Sequence, residues 1–429
     1  MNGLQTNNAP HSSVVVPHFI FGAVSFFIVA LMLVLSSSSV LEVYFNTKLI
    51  AITHMAILGW AIMIVFGALY QLIPVVFETA LFSEKLAKVT FWMAAFSVLF
   101  LSYSFWVASF SVLLPYASVC MFVSLLLFVI NVLLSYRKSE IKNWSSKFVI
   151  AAIIWLLLTE LLGTLIALNF KFNFLSEAHI HYLKIHATIG FIGWFLLLII
   201  GVGSTLIPIF LMSHQLIFKK LKASFFLINS GLIGIAFNWF LINNSALLGL
   251  FWAFVAVGVL FFASFIYDSY KKRMRKKLDV GMQYSMLAIA SVLLPIIISS
   301  LLIFGFNLEF EMLSRIVVFY GFSIVFGFIT TLILGQTYKT LPFIIWLDRY
   351  KKLIGKTKTP LPRELYSEKI ASIQFYVYLT FIITLPIGIL LNNLVLVKIG
   401  SIALLLVTIL YNINVFKIIF HNVKPIKNE

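Results

Sequence analysis

Charged residues are scarce in this chain, and cysteine is nearly absent. Only 10% of the 429 residues are charged and 62% are hydrophobic, whereas a soluble domain carries about 25% charged residues. A soluble globular protein is therefore excluded. The single cysteine, Cys120, excludes a disulfide, a CxxC motif and a thiolate metal cluster. The first thirteen residues carry no charge, so we expect no cleavable signal peptide with a basic start.

A long-period repeat runs through the chain. Its pattern is a glycine-aromatic pair followed by a proline, and the copies are Gly59-Trp60 with Pro74, Gly193-Trp194 with Pro208, and Gly327-Phe328 with Pro342. Neighbouring copies lie 134 residues apart (194 − 60 and 328 − 194). A period of this length exceeds that of solenoid repeats and indicates multi-helix modules. We predict one transmembrane domain, 1–429, with internal repeats at about 14–147, 148–281 and 282–420.

Apolar runs long enough to cross a bilayer as helices recur along the chain. They predict an all-α polytopic membrane protein with twelve spans, four in each repeat. The predicted spans are 16–37, 49–75, 87–108, 111–135, 148–169, 185–212, 223–242, 246–267, 282–305, 313–338, 370–391 and 395–420. The stretch 339–369 is predicted to be a solvated connector.

Basic residues predict the orientation of these spans. With twelve spans both termini lie on one side, and 26 of the 31 Lys and Arg residues (31 − 5) fall on that side. The five others are Lys48, Lys171, Lys184, Arg315 and Lys398. This asymmetry follows the positive-inside rule, so we expect cytoplasmic termini in a bacterial inner membrane. The net charge of +17 is then an orientation signal beside anionic lipid, and no nucleic-acid-binding module accompanies it.

Four of the eight histidines are predicted on the outer side. His54 lies in the outer part of span two and His186 in that of span six, while His179 and His181 come just before span six. An imidazole inside a membrane is costly and marks function by default, and it is a common ligand of iron, copper and zinc. We predict that His54 and His186 are ligands. The alternative, a histidine bonded to a carbonyl that binds nothing, stays open for each.

The repeat does not make these two histidines strictly equivalent. His54 precedes Trp60 by six residues, whereas His186 precedes Trp194 by eight. If the sixth helix extends back to His179, then His179 and His186 share a face about 10 Å apart, too far to chelate one ion. His18, at the start of span one, is expected at the membrane interface.

Glu160 is an acidic residue in the outer half of span five with no basic neighbour in sequence. A carboxylate at this depth must be protonated, paired or turned toward a polar cavity. A proton relay and a protonated acid bonded to a neighbouring helix are both open interpretations.

The segments His54 to Pro74 and His186 to Trp194, on a frame of twelve spans, resemble the heme-copper oxidase superfamily, in particular its cbb-type and nitric-oxide-reductase branches. They also resemble the haem-containing NnrS-type membrane proteins. The resemblance implies that His54 ligates a haem b and that His186 occupies the position of the first copper ligand. It further implies that His179 and His181 serve as distal donors or as a copper or zinc site. Tyr320, the counterpart of His186 in the third repeat, is expected to line the same cavity.

The chain departs from this superfamily at several metal ligands. Span ten contains Tyr320 and Gln336 but no histidine, and residues 223–242 of span seven lack the copper histidines. A complete haem-copper centre therefore cannot form at the usual positions, and oxidoreductase activity stays uncertain. We expect a haem-binding membrane protein that handles or responds to NO or O₂, or is accessory to respiration with a redox or membrane partner. A non-haem transporter and a degenerate structural subunit are the alternatives.

Overall fold

The computed structural model describes residues 8–214, 216–304, 308–356 and 358–422. It is 83% helical, and no β-strand occurs in these ranges. Twelve helices are long and apolar enough to cross a membrane, which confirms the predicted fold class. In chain order, α1 to α12 are Ser12–Leu35, Thr47–Val76, Glu84–Trp106, Leu113–Arg137, Trp144–Phe172, His179–Leu211, Lys219–Ile242, Ser245–Lys271, Val280–Phe304, Phe310–Leu353, Glu368–Leu390 and Leu394–Ile419.

Polar side chains cap the N-termini of most of these helices. A capping oxygen accepts a backbone N–H of the first turn that has no partner inside the helix. Because such groups are costly to leave unpaired near hydrocarbon, the caps define where each span begins. The capping residues of this kind are Asn46, Ser83, Asn143, Asn244, Asp279, Ser367 and Asn393.

The three four-helix units form a closed ring. Helix α4 packs against α5, α8 against α9, and α1 against α12. The second helix of each unit (α2, α6 and α10) lies at the centre of the ring, where the three helices line a common cavity. We call the side on which α1 begins and α12 ends the basic side and the opposite side the outer side.

The three central helices share a local π-helical segment. These segments are Met55–Ile62, Ile189–Leu196 and Ser323–Thr330, and their starts lie 134 residues apart (189 − 55 and 323 − 189). Each contains the glycine-aromatic pair of the sequence repeat. A π-helix closes hydrogen bonds from i to i+5, is rare, and occurs often at functional sites. The period seen in the sequence therefore reappears in the backbone conformation.

The repeated glycines allow these helices to approach their neighbours. A Cβ at Gly67 would lie 2.8 Å from the Cβ of His18, and one at Gly201 would lie 2.9 Å from the Cβ of Phe148. Neither distance is compatible with a side chain. These two glycines therefore permit the close helix contact.

The aromatic partner of each glycine is buried between units. Trp60 is 0% exposed, and its Nε1 donates to the Oγ1 of Thr330 in the third unit at 3.1 Å. Trp194 is 1% exposed and packs edge-on against Phe66 and Phe128 of the first unit. The repeated pattern therefore holds the units together.

Helix α10 is longer than the sequence analysis predicted. The predicted connector 339–369 begins as a continuation of this helix, whose α-helical part ends at Tyr350. The extension is amphipathic: Leu341, Ile344 and Ile345 are buried on one face. Its basic end is held by Arg349, which donates to the carbonyl of Ile419 at 2.6 Å. Burial of this apolar face explains why the segment is helical rather than solvated.

Candidate functional site

His54 immediately precedes the first π-helical segment in α2. Its Nδ1 lies 2.9 Å from the carbonyl oxygen of Ile50, one turn earlier in the helix. A carbonyl can only accept, so Nδ1 carries the proton and Nε2 of the neutral ring keeps its lone pair. The ring stacks on Phe105 of α3, with centroids 4.7 Å apart. The backbone bond and the stack together fix the ring.

His186 lies in α6, three residues before the second π-helical segment. Its Nδ1 donates to the carbonyl oxygen of Thr159 in α5 at 2.9 Å. The ring packs against Gly163 so closely that a Cβ there would lie 2.7 Å from its Cε1. His186 is therefore held across a helix pair, and its Nε2 also keeps a lone pair.

His54 and His186 differ from His18 in the accessibility of Nε2. His18 is 0% exposed, and its Nε2 is sealed in protein without a hydrogen-bond partner. The Nε2 atoms of His54 and His186 make no hydrogen bond within the described ranges either, but they are not sealed. Nε2 of His54 and of His186 is therefore partly accessible, whereas that of His18 is not.

The burial of His18 corrects the sequence prediction for that residue. His18 was expected at the membrane interface, yet it packs inside the first unit against Phe91 at 4.9 Å and Tyr70 at 5.6 Å between ring centroids. Its position near the start of α1 misled the prediction, because α3 extends alongside it. Nothing in the sequence around His18 indicates this neighbour.

The structure places His54 and His186 on the central helices of neighbouring units but does not make them equivalent. The π-helical segments are in register at 134 residues, so the counterpart of His54 is Thr188 and the counterpart of His186 is Ile52. The two rings thus come from different positions of neighbouring units.

Glu160 lies next to the residue that holds His186. It follows Thr159 in α5, and its side chain is 8% exposed. No ion pair or hydrogen bond of its carboxyl group occurs in the described part of the chain. Its carboxyl oxygens are not among the sealed, unpartnered atoms. Glu160 is therefore a buried acid without a protein partner beside the His186 contact.

Tyr320 occupies the position in α10 that His186 occupies in α6, 134 residues later (320 − 186). It is half-buried, and its hydroxyl makes no hydrogen bond to other described residues. Its placement in a shared cavity with His186 stays a prediction.

His179 and His181 lie in the first turn of α6, which begins at His179. His179 stacks on Phe170 at 4.1 Å, and its Nε2 lies 3.2 Å from the amide Nδ2 of Asn169. The oxygen of that amide accepts from Leu175 N at 2.7 Å, so the amide donates to Nε2. His181 instead meets Tyr182. The two histidines therefore point to different neighbours, as expected for positions i and i+2.

A preformed metal site is not seen around these residues. Within the described ranges, no group of three or more His, Cys, Asp and Glu side chains is arranged to hold a metal ion. A copper or zinc ion at His179 and His181 stays a prediction, and it would require ligands beyond the two histidines.

Comparison with known proteins does not assign this chain to a family. No protein-family model matches this chain, and no curated protein matches it.

Proposed function

We propose that this chain is a haem-binding integral membrane protein of the heme-copper oxidase-like group that handles or responds to NO or O₂, or supports respiration. The proposal rests on the tautomer and the hydrogen bonding of two imidazoles in neighbouring units. His54 and His186 each donate Nδ1–H to a backbone carbonyl and keep an accessible Nε2 without a partner.

This arrangement fits an axial ligand of haem. Histidines that bind metals commonly donate their second ring nitrogen to a carbonyl, which fixes the tautomer and the orientation of the ring. An imidazole within a transmembrane helix is also costly and marks a functional site by default. His54 is proposed to hold haem b, with His186 on the other side or as a residue facing the bound gas. A ferrous haem with a free axial position binds NO, CO or O₂.

The neighbouring residues have supporting roles in this proposal. Glu160, buried without an ion-pair partner in the described part of the chain, is proposed to exchange a proton beside His186. Tyr320 is proposed to line the same space from the third unit. Gas binding or sensing fits these residues better than reduction of O₂ to water, because α10 lacks the histidines that the superfamily places there.

Absorption spectroscopy tests the proposal. The protein, expressed with excess haem and purified in detergent, should show Soret and α bands in its oxidised and dithionite-reduced spectra. Both His54→Ala and His186→Ala should weaken or shift these bands. His214→Ala, a change at an exposed histidine after α6, should leave them unchanged. Addition of CO or NO should shift the reduced spectrum.

Two results would contradict the proposal. If the haem-replete wild-type protein contains no haem, the proposal is wrong, and a transporter or structural subunit becomes the better interpretation. If His214→Ala changes the bands as much as His54→Ala does, the assignment of the ligands is wrong.

We also infer that the chain lies in a bacterial inner membrane with both termini in the cytoplasm. Its twelve candidate spans and the concentration of Lys and Arg on one side support this orientation. Alkaline-phosphatase fusions should be inactive after residue 280 and active after residue 309. The reverse pattern would invert the topology.

A further inference from the structure

The three central helices line a partly open cavity of about 110 Å³. It extends from Phe195 and Ile329, inside the π-helical segments of α6 and α10, toward the basic side. Neither His54 nor His186 is among its lining residues.

Corresponding positions of the three units line this cavity. Five positions contribute in every unit, each repeated at intervals of 134 residues. They are 64/198/332, 65/199/333, 68/202/336, 69/203/337 and 72/206/340. The cavity is thus a product of the threefold repeat rather than a defect in one helix.

The lining is almost entirely apolar, although the third unit contributes three polar residues. Thr337 Oγ1 donates to the carbonyl of Ile333 at 2.8 Å, and Thr340 Oγ1 donates to that of Gln336 at 2.8 Å. The amide nitrogen of Gln336 donates to Ser285 at 2.8 Å, and its oxygen is sealed from any accessible space. The polar atoms are therefore occupied or enclosed, and methyl and methylene groups face the cavity.

Two small residues provide the room. Ala68 stands where the other units have Val202 and Gln336, and Gly203 stands where they have Leu69 and Thr337. A Cβ at Gly203 would find its nearest neighbour at an ordinary 3.5 Å. Gly203 is therefore not needed for close helix packing, in contrast to Gly201.

We propose that this central cavity binds a single small apolar molecule of the size of a diatomic gas, such as O₂ or NO. A water molecule needs two to four polar partners, which the lining does not offer, so the cavity is expected to be dry. Dry apolar cavities of comparable size take up xenon and small hydrocarbons. The cavity would hold gas inside the same helices that carry His54 and His186. This inference does not require haem.

Xenon pressurisation of crystals of the full-length protein tests the inference. Anomalous scattering should show one xenon atom among α2, α6 and α10. Gly203→Leu introduces the residue of the first unit and should abolish this peak. Gly321→Leu is the matched control, because the same change occurs in a central helix where a Cβ meets nothing within 4 Å; it should retain the xenon. Ala68→Leu provides a second filling variant if Gly203→Leu does not fold.

Three results would overturn the inference: no xenon peak in the wild type, a peak that persists in both filling variants, or density for an acyl chain or detergent in the cavity. Because xenon binding is read without haem, a protein that binds xenon but no haem would refute the proposed function alone. A protein that binds haem but no xenon would refute the cavity proposal alone.

Discussion

Asn131 in α4 and Asn414 in α12 make the same pair of hydrogen bonds in the first and third units. Asn131 accepts from Ser83 N at 3.0 Å and donates to Ser83 O at 2.9 Å. Asn414 accepts from Ser367 N at 3.0 Å and donates to Ser367 O at 3.2 Å. Both serines are N-caps. Each asparagine thereby joins the fourth helix of its unit to the N-terminus of the third helix of the same unit.

Alanine at either asparagine should destabilise the protein by about 1–3 kcal/mol, because the backbone N–H of a capping serine loses its partner. The serine carbonyl keeps its bond from Ala87 N or Ala371 N. Asn131→Asp retains the accepting oxygen and should cost less than Asn131→Ala. Since the two sites lie in different units, the double alanine variant should show the sum of the single effects. Thermal unfolding in detergent measures these differences. A double variant no less stable than either single one would contradict the equivalence.

Gly163→Ala should disturb His186 without changing any histidine. The added methyl group would lie 2.7 Å from Cε1 of His186, so the ring must leave its bond to Thr159. Such overpacking typically costs about 1–3 kcal/mol. If His186 faces the haem, the Soret band should shift or weaken. Gly203→Ala, where the methyl group fits, is the control and should keep the wild-type spectrum. An unchanged spectrum in Gly163→Ala would remove His186 from the haem site.

Replacement of Glu160 should stabilise the protein. A buried carboxyl group without a partner is unfavourable by about 1–3 kcal/mol relative to an apolar group in the same place. Glu160→Leu should therefore unfold at a higher temperature than the wild type, with Glu160→Gln between the two. If gas-dependent proton exchange uses this acid, both variants should lose it in a stopped-flow assay with a pH dye. A destabilised Glu160→Leu would indicate a partner that the described contacts do not include.

The hydrogen bond between Tyr350 and His421 should depend on pH. The Tyr350 hydroxyl lies 2.8 Å from Nε2 of His421 and can donate to it only while the ring is neutral. Burial, with smaller effects from Arg349 and Lys417, lowers the pKa of His421 below its ordinary value of 6.5. The unfolded state therefore takes up the proton first. The stabilisation is present above pH 6.5 and is lost as the pH falls through the lowered pKa.

Tyr350→Phe tests this dependence. The variant should lose about 1 kcal/mol of stability at pH 8 and almost none well below the pKa of His421. Unfolding in denaturant at both pH values measures the difference, with Tyr376→Phe, a change at an exposed tyrosine, as the control. An equal loss at both values would mean that the histidine is not the acceptor.

The helices could be predicted because the length of an apolar run is a local property. The period could be predicted because it is a spacing that is read directly along the sequence. Twelve apolar runs of sufficient length predicted twelve helices, and the spacing of Trp60 and Trp194 predicted the repeat, whereas the π-helical segments that recur with the same spacing were not predicted. The extension of α10 was missed because Lys356, Lys358, Pro360 and Pro362, farther along the stretch 339–369, suggested a connector. The apolar face made by Leu341, Ile344 and Ile345 was the signal that could have found it.

The candidate site was predictable only as a set of residues. His54, His186 and Glu160 were found because ionisable groups are rare in membrane helices. Their relation was not, since offsets from Trp60 and Trp194 were judged on an ideal α-helix. A π-helical segment begins between each histidine and its tryptophan and contains the tryptophan, which changes the rotation per residue.

The amino-acid sequence alone determined that this protein has membrane-spanning helices, how many there are, and the period of the repeat. The length and spacing of apolar segments can be read without knowing which residues contact each other. Only the tertiary structure decided that Nε2 of His18 is sealed whereas that of His186 is accessible, and that Gly203 borders a cavity whereas Gly201 is in close contact. Those differences depend on which helix lies opposite each residue, and that is set by contacts between residues far apart in the chain.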